Sequence, residues 1–192
     1  MELFDRIDAA RARWNVLRHP FYCRWERGEL TREELAHYAG EYRHAVVALA
    51  HTAASSGDDE HAREEAEHVA LWDEFAAELD ADVDRAPNPE TQTCADAWRR
   101  DDRDEALAVL YAIESSQPAI SETKLRGLTE HYGFDGGGTG YFVVHAERDV
   151  EHAAAARATL EAAPPADADR LAEAAENALR GNWLLLDGVE RA

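Results

Sequence analysis

Lysine is almost absent from this sequence. Lys124 is the only lysine among 20 lysine and arginine residues, which face 40 acidic residues and leave a formal net charge of −20. Nucleic acid is excluded as the expected partner, because phosphate binding needs clustered positive charge. An acidic, lysine-poor composition resembles that of proteins from salt-loving archaea, since at molar salt a Debye length of about 3 Å screens repulsion between carboxylates. The charge therefore indicates habitat more than function.

Cysteine and long apolar stretches are also scarce. Cys23 and Cys94 lie far apart and form no CxxC pair, so we expect two free thiols and neither a cysteine zinc site nor a disulfide. No stretch approaches the roughly 20 apolar residues of a membrane span. Residues 1–14 are charged throughout and lack the apolar region of a signal peptide. We therefore expect a cytoplasmic protein that has no membrane partner.

Glycine and proline occur mainly in a few short segments, and helical periodicity fills the sequence between them. The length suits a single domain over residues 1–192, and we predict an all-α bundle of about seven helices. Thr31 and Glu34 have the spacing of a capping box, which opens a helix to about residue 56. Beyond it we predict helices over about 58–79, 94–100, 104–131 with a break at Pro118, 139–162 and 167–186, a loop over 84–93, a turn at 136–138, a break at Pro164-Pro165, and Gly188 beyond the last helix.

The segment YFVVHAERDVEH, residues 141–152, carries three candidate metal ligands. His145, Asp149 and His152 stand at i, i+4 and i+7, which places them on one helical face two turns long. Two imidazoles and a carboxylate suit a metal such as iron. The alternative is an exposed polar stripe, because the neighbouring Glu147 indicates that part of this helix faces water.

Two other segments supply carboxylates. Glu65 and His68 have the Glu-x-x-His spacing that helical bundles use for di-iron centres, and Glu64 with His68 fits almost as well. Glu114 lies in the apolar run 107–113, where burying a carboxylate is costly unless it is paired or binds a metal; a bridging role fits that position. Six ligands from three helices suit two metal ions with open positions for O2: Glu65, His68, Glu114, His145, Asp149 and His152.

The sequence resembles the CADD-type family of heme-oxygenase-like di-metal oxidases, named for the chlamydial protein associating with death domains. These proteins are relatives of the TenA/PqqC-type fold. The resemblance implies a heme-oxygenase-like bundle with two non-heme metal ions, Fe/Fe or Fe/Mn, and it matches all the ligands above except Glu65. It covers most of the chain, through HPFYCRW (19–25), GELTREELAHYAGEY (28–42), HVALWDEF (68–75), YAIESSQPAISETKLRGL (111–128), YFVVHAERDVEH (141–152) and NWLLLDGVE (182–190).

The resemblance implies an unusual activity. The family makes para-aminobenzoate for folate synthesis from its own side chains, with O2 activated at the metals. Tyr22 matches the tyrosine that supplies the ring, and Lys124 matches the lysine implicated as amine donor. Tyr38 and Tyr141 match further tyrosines near the site. An external reductant for the metals is then expected, and a homodimer is common for this fold.

One observation about Lys124 is independent of the family. Apart from histidine, every other basic residue in the chain is arginine. Arginine cannot replace a lysine whose amine is consumed, because the lone pairs of its guanidinium nitrogens are delocalised. A surface lysine without a role is the alternative. The chain also departs from the family pattern: His61 stands where a glutamate precedes His68 by seven positions, and Arg43 follows Tyr42 where a second tyrosine is usual. These changes predict a reshaped pocket.

Two other functions stay open. One is a turnover oxygenase of the same superfamily that acts on a small acid, amine or lipid. The other is a metal-free helical protein with a binding or regulatory role. A thiaminase-like protein would need a catalytic cysteine, and Cys94 is predicted to lie in a loop.

Overall fold

Nine α-helices make up the described part of the chain, residues 2–162 and 167–191 of the computed structural model, and no strand occurs there. The all-α prediction is confirmed. The expected number of about seven was too low, because no helix was predicted over the first 30 residues, which form two short ones. The helices are α1 (Leu3–Arg13), α2 (Pro20–Glu26), α3 (Arg32–Ser55), α4 (Asp59–Glu78), α5 (Pro89–Trp98), α6 (Arg103–Glu114), α7 (Gln117–His131), α8 (Gly140–Ala162) and α9 (Ala168–Glu190).

Polar side chains cap the helix starts that position the centre of the bundle. The predicted capping box at α3 is present in both directions: the Glu34 amide donates to Thr31 Oγ1 over 3.2 Å, and the Thr31 amide donates to Glu34 Oε2 over 2.7 Å. At α4, Asp58 Oδ1 accepts from the amides of Glu60 and His61, each over 3.0 Å. These caps satisfy amides that have no partner within the helix.

Two predicted boundaries near prolines are wrong. The predicted loop 84–93 is too long, because α5 already begins at Pro89. Asn88 caps that helix by accepting from the Thr91 amide over 2.7 Å, and proline suits the first helical position because its missing amide is not needed there. The break predicted at Pro118 lies at residues 115–116, and Pro118 sits in the first turn of α7, where proline is tolerated.

The last helix extends further than predicted, to Glu190, so Gly188 lies inside α9 and not beyond it. A Cβ atom at Gly188 would lie 2.9 Å from Nδ2 of Asn88 and 2.9 Å from Cβ of Glu90. The glycine therefore permits close contact between α9 and the start of α5. The turn at 136–138 is found between α7 and α8, and the break predicted at Pro164-Pro165 lies outside the described residues.

Three buried tryptophans join pairs of helices at the centre. Trp25 on α2 donates its indole N–H to the Lys124 carbonyl over 3.1 Å, which ties α2 to α7. Trp72 on α4 donates to the Ala39 carbonyl on α3 over 2.8 Å. Trp98 reaches from α5 to a carbonyl of α9 over 2.9 Å. Each indole thus buries its ring without leaving its donor unpaired.

None of the helices in the described ranges combines the length and the apolar composition that a bilayer crossing requires.

Candidate metal centre

The predicted ligands converge between α4, α6 and α8. They are almost wholly buried, with the exception of His152, whose side chain is 12% exposed. The exposed-stripe alternative for residues 145–152 is therefore wrong. The six side chains are Glu65 and His68 from α4, Glu114 from α6, and His145, Asp149 and His152 from α8.

Glu65 lies at the middle of one group of donors. Its Oε1 lies 2.8 Å from Nδ1 of His68 and 3.9 Å from Nε2 of His145, and the two imidazole centroids are 4.4 Å apart. Burial alone would raise the pKa of Glu65, but the hydrogen bond with His68 and the surrounding histidines lower it overall. Two imidazoles and an ionised carboxylate therefore face one point.

A second group contains a residue that the ligand prediction omitted, His61. Its Nε2 lies 3.0 Å from Glu114 Oε1, at an angle that makes no hydrogen bond, and 3.9 Å from Glu65 Oε1. Its ring stacks on His152 with centroids 4.1 Å apart. Glu65 thus lies within reach of both groups, so the structure places it, and not only Glu114, where a carboxylate could bridge two ions.

The sequence contains a signal for His61. His61, Glu65 and His68 stand at i, i+4 and i+7, the same pattern of two histidines around a carboxylate that residues 145–152 carry on α8. On each helix this spacing places the three side chains on one face. The centre is therefore built from two matching helical motifs and Glu114.

Buried atoms without partners show that these residues fit metal ions. Both carboxylate oxygens of Glu114 and of Asp149 have no hydrogen-bond partner among the described residues, and neither has Nε2 of His145. Burial, and then repulsion from neighbouring carboxylates, raises the pKa of Glu114 well above its ordinary value and that of Asp149 to about 10. Cations would satisfy these atoms and remove the cost of burying them unpaired.

Hydrogen bonds at the far side of two histidines direct the other ring nitrogen inward. His145 Nδ1 lies 2.7 Å from the Tyr141 carbonyl, which only accepts, so Nε2 keeps its lone pair for the cluster. Burial lowers the pKa of His145 to about 4, which keeps it in the neutral form that binds metals. His152 Nε2 lies 2.9 Å from Glu64 Oε2, which leaves Nδ1 facing inward. Glu64 thus lies at the rim, while Glu65 lies inside.

The only lysine lies in a closed aromatic pocket beside this cluster. Lys124 is 1% exposed, which rules out the surface-lysine alternative. Its Nζ donates to Tyr38 Oη over 2.7 Å and lies 4.7 Å from the ring centroids of Tyr22 and Tyr42. Tyr22 Oη lies 2.8 Å from Tyr38 Oη. Burial lowers the pKa of Lys124 well below its ordinary value, which favours the neutral amine.

Two rings connect the lysine pocket to the metal ligands. Tyr141 stacks on His145 with ring centroids 3.9 Å apart, and the centroid of Trp72 lies 4.8 Å from that of Tyr141. Trp72 in turn contacts Tyr38 at 5.9 Å. The four predicted aromatic and amine residues, Tyr22, Tyr38, Lys124 and Tyr141, therefore lie in one continuous buried layer next to the histidines.

The two cysteines are free thiols, as expected. Cys94 lies within α5 and not in a loop, and it is fully buried. Burial raises the pKa of its thiol well above the ordinary value. A buried, protonated thiol is a poor nucleophile, so the thiaminase-like chemistry has no suitable cysteine at this position.

Comparison with known proteins agrees with this geometry. A family model described as "Iron-containing redox enzyme" matches residues 23–184. A protein of Chlamydia muridarum named 4-aminobenzoate synthase is 32% identical, over 97% of this chain and 89% of its own length. One of the same name from Nitrosomonas europaea is 32% identical, over 96% and 89%.

A solved structure from Shewanella denitrificans, described as a domain of unknown function with a heme oxygenase-like fold, superposes with a TM-score of 0.78. It is 20% identical and covers 100% of this chain and 93% of its own, so it supports the fold alone. The predicted resemblance and the predicted fold class are both confirmed. The metal-free alternative does not agree with the matched family. The chain therefore belongs to the heme-oxygenase-like family of iron-containing redox enzymes.

Proposed function

We propose that this protein makes para-aminobenzoate from its own Tyr22 and Lys124, with O2 and a pair of non-heme metal ions. The observation that carries the proposal is the position of the Lys124 amine, which is buried with its Nζ 4.7 Å from the centroid of the Tyr22 ring. The name 4-aminobenzoate synthase, borne by relatives 32% identical over nearly the whole chain, supports the choice of product.

The metal ions, Fe/Fe or Fe/Mn, would supply the oxidising power drawn from O2, with electrons from an external reductant. The chain's part is to hold them near the aromatic layer and away from bulk water. The side chains that would bind them are the predicted six, Glu65, His68, Glu114, His145, Asp149 and His152, together with His61.

Within the pocket, each side chain has a separate task. Tyr22 supplies the aromatic ring. Lys124 supplies nitrogen, because only an amine without its extra proton has a lone pair for attack. Tyr38 holds Lys124 in place through their hydrogen bond and contacts the Tyr22 hydroxyl. Trp25 and Phe21, both at most 1% exposed, close the pocket against water.

The packing of this pocket favours sacrifice of the chain's own residues over turnover. Tyr22, Tyr38 and Lys124 are each at most 2% exposed and contact one another directly. An added aromatic substrate would have to displace them. The turnover oxygenase remains the second candidate, because a cavity of about 300 Å³ reaches His61 and His152 from outside and could admit a small molecule.

We also propose that the protein works in the cytoplasm of a cell adapted to high salt, and the acid excess and the free thiols support this. We assign the charge of −20 to adaptation to high salt, where the repulsion between carboxylates is screened. Unpaired Cys23 and Cys94 fit a reducing cytoplasm.

Metal binding is tested by counting ions. The purified protein should bind about two metal ions per chain. His61→Ala should remove at least one of them, and so should the triple replacement of His145, Asp149 and His152 by alanine. His51→Ala is the control, because that side chain only contacts Asp101 near the surface. Full occupancy of the triple variant, measured by elemental analysis, would contradict the assignment.

The chemistry is tested by oxygen addition. Iron is loaded without oxygen and with a reductant, O2 is admitted, and mass spectrometry follows both para-aminobenzoate and the intact chain. We expect at most one product per chain, a permanent mass change, and no need for an added substrate. Tyr22→Phe should give no product, while Tyr111→Phe, whose hydroxyl donates to Asp8 on α1, should behave as wild type. Many products per chain from an added molecule would establish the turnover oxygenase instead.

A further inference from the structure

The buried metal ligands come nearest to the surface at one edge. His61 is 7% exposed and the His152 side chain 12%, whereas the exposed fractions of Glu65, Glu114 and Asp149 do not exceed 2%. The two imidazoles lie against each other, with centroids 4.1 Å apart and planes inclined by 31°. They form the outermost layer of the donor cluster.

Two surface cavities meet at this pair of imidazoles. One, of about 300 Å³, extends toward α6 and the turn before α4, and the other, of about 240 Å³, lies between α4 and α8. Both are lined by Asp58, His61, His152 and Ala155. Water and small solutes therefore reach the outer face of the donor cluster from two sides.

Nitrogen atoms at this edge are without partners. His61 lines both cavities and is more than nine-tenths buried, and its Nε2 makes no hydrogen bond with the described residues. His152 Nδ1 also has none. Imidazole nitrogens without partners, set between a solvent cavity and buried carboxylates, suit a metal cation better than an anion or an apolar molecule.

The charges around the cavities also favour a cation. Five carboxylates lie in their walls against two arginines. Glu64 is the nearest of them to the imidazoles, because its Oε2 lies 2.9 Å from His152 Nε2. A concave surface of net negative charge raises the local concentration of cations. The carboxylates are Asp58, Asp59, Glu60, Glu64 and Glu151, and the arginines are Arg103 and Arg148.

From this arrangement we infer that the His61–His152 edge, with Glu64 and Ala155, is the port through which divalent metal ions reach the buried centre. The inference rests on the metal centre of the proposed function and adds the route by which that centre is filled. A hydrated ion gives up one water for each side-chain oxygen or nitrogen it gains. Glu64 would supply the first oxygen at the rim, Nδ1 of His152 and Nε2 of His61 the next donors, and Glu65 and Glu114 the inner ones.

The charge at the port is tested with Glu64→Gln. Uptake of Co²⁺ by metal-free protein is followed by stopped-flow absorption without oxygen. At low salt we expect the rate to fall roughly fivefold, because one carboxylate beside the path of a divalent ion is lost. The difference should disappear in molar KCl. Glu67→Gln is the control, because Glu67 is exposed on the same helix and lines neither cavity.

The width of the port is tested independently with Ala155→Phe. This residue is exposed and lines both cavities, so a phenyl ring there would narrow the passage without touching a ligand. Uptake of Co²⁺ and its removal by a chelator should slow by the same factor, which leaves the affinity unchanged. Ala154→Phe, at an exposed position outside both cavities, should have wild-type rates.

The outcomes separate the port from the metal centre. Wild-type rates in both Glu64→Gln and Ala155→Phe, with full occupancy, would overturn the port and leave the centre intact. Loss of an ion at equilibrium in Glu64→Gln would mean that Glu64 holds the bound ion, directly or by orienting His152, and would overturn its role as the first contact. A wild-type protein that binds no Co²⁺ would overturn both proposals. Slower exchange at unchanged occupancy supports the port whether or not para-aminobenzoate is formed.

Discussion

Lys124→Met is expected to abolish para-aminobenzoate formation while the protein stays folded and keeps its metal ions. Methionine has nearly the length and volume of lysine and packs well between aromatic rings, so the pocket around Tyr22 and Tyr38 stays filled. What is lost is the nitrogen. Product is measured by mass spectrometry after O2 addition, next to metal content and the thermal midpoint of unfolding.

Methionine is a sharper test than arginine at this position. Lys124 has no carboxylate partner among the described ion pairs, and burial lowers the pKa of its amine well below the usual range. Arginine would bring a permanent charge into that apolar pocket and would destabilise the fold for reasons unrelated to nitrogen transfer. Full activity of Lys124→Met would mean that the nitrogen comes from elsewhere, and the self-sacrifice proposal would be wrong.

Composition alone predicts that Lys124 has a role, but it does not predict where the side chain lies. The sequence contains one lysine among 20 basic residues, and its retention predicts a role that arginine cannot fill. Composition does not show where the side chain points. Its burial under Tyr38 depends on the break at residues 115–116, which starts a new helix, α7, and on the bond from Trp25 that holds α7 against α2. Such long-range contacts have no local signature.

His61 shows the opposite case, a candidate ligand whose signal was present in the sequence but overlooked. The Glu-x-x-His spacing draws attention to Glu65 and His68. His61, four positions before Glu65, then looks like a departure from the family pattern. Compared with residues 145–152, it is the first member of a repeated pattern. Periodicity places all three residues on one face of α4, but only the packing of α4 against α8 and the approach of Glu114 show that the face is a donor cluster.

Helix boundaries failed where tertiary contacts override local preference. Gly188 resembles a helix-terminating glycine in the sequence, yet it lies within α9. A glycine is needed there because a larger residue would collide with Asn88 just before α5. Glycine thus reports here on a close approach between helices and not on a turn. The convergence of the candidate ligands was easier to predict than the ends of the helices, since the spacing within each motif depends only on helical geometry.

The metal-free protein should lose stability as the pH rises above neutrality, and metal ions should remove that loss. Asp149 is buried among other carboxylates, which raises its pKa to about 10, and the pKa of Glu114 is also raised well above its ordinary value. In the unfolded chain the pKa of an aspartate is about 3.9. Between these values the native state holds protons that the unfolded state has released, so the free energy of unfolding falls as the pH rises.

The window for this effect lies between about pH 6.5 and 10. Below it, His145 acts in the opposite direction: burial lowers its pKa from 6.5 to about 4, so stability rises with pH over that lower range. Above pH 6.5 the carboxyl groups dominate, at up to about 1.4 kcal/mol per pH unit for one proton. Bound metal ions take the place of those protons, and the loaded protein should not share the decline.

Asp149→Asn tests this explanation directly. Asparagine keeps the shape of the side chain but has no proton to release, so the metal-free variant should have a flatter pH profile than wild type and should be more stable at pH 9. The same change should weaken metal binding, since one charged ligand is lost. Asp73→Asn is the control, because that carboxylate lies at the surface beside Arg43. Urea unfolding from pH 6.5 to 9.5, with and without metal, measures all three profiles. The free energy of unfolding could instead change with pH by the same amount in metal-free wild type and Asp149→Asn. Asp149 would then be ionised in the native protein without a cation, and the explanation would be wrong.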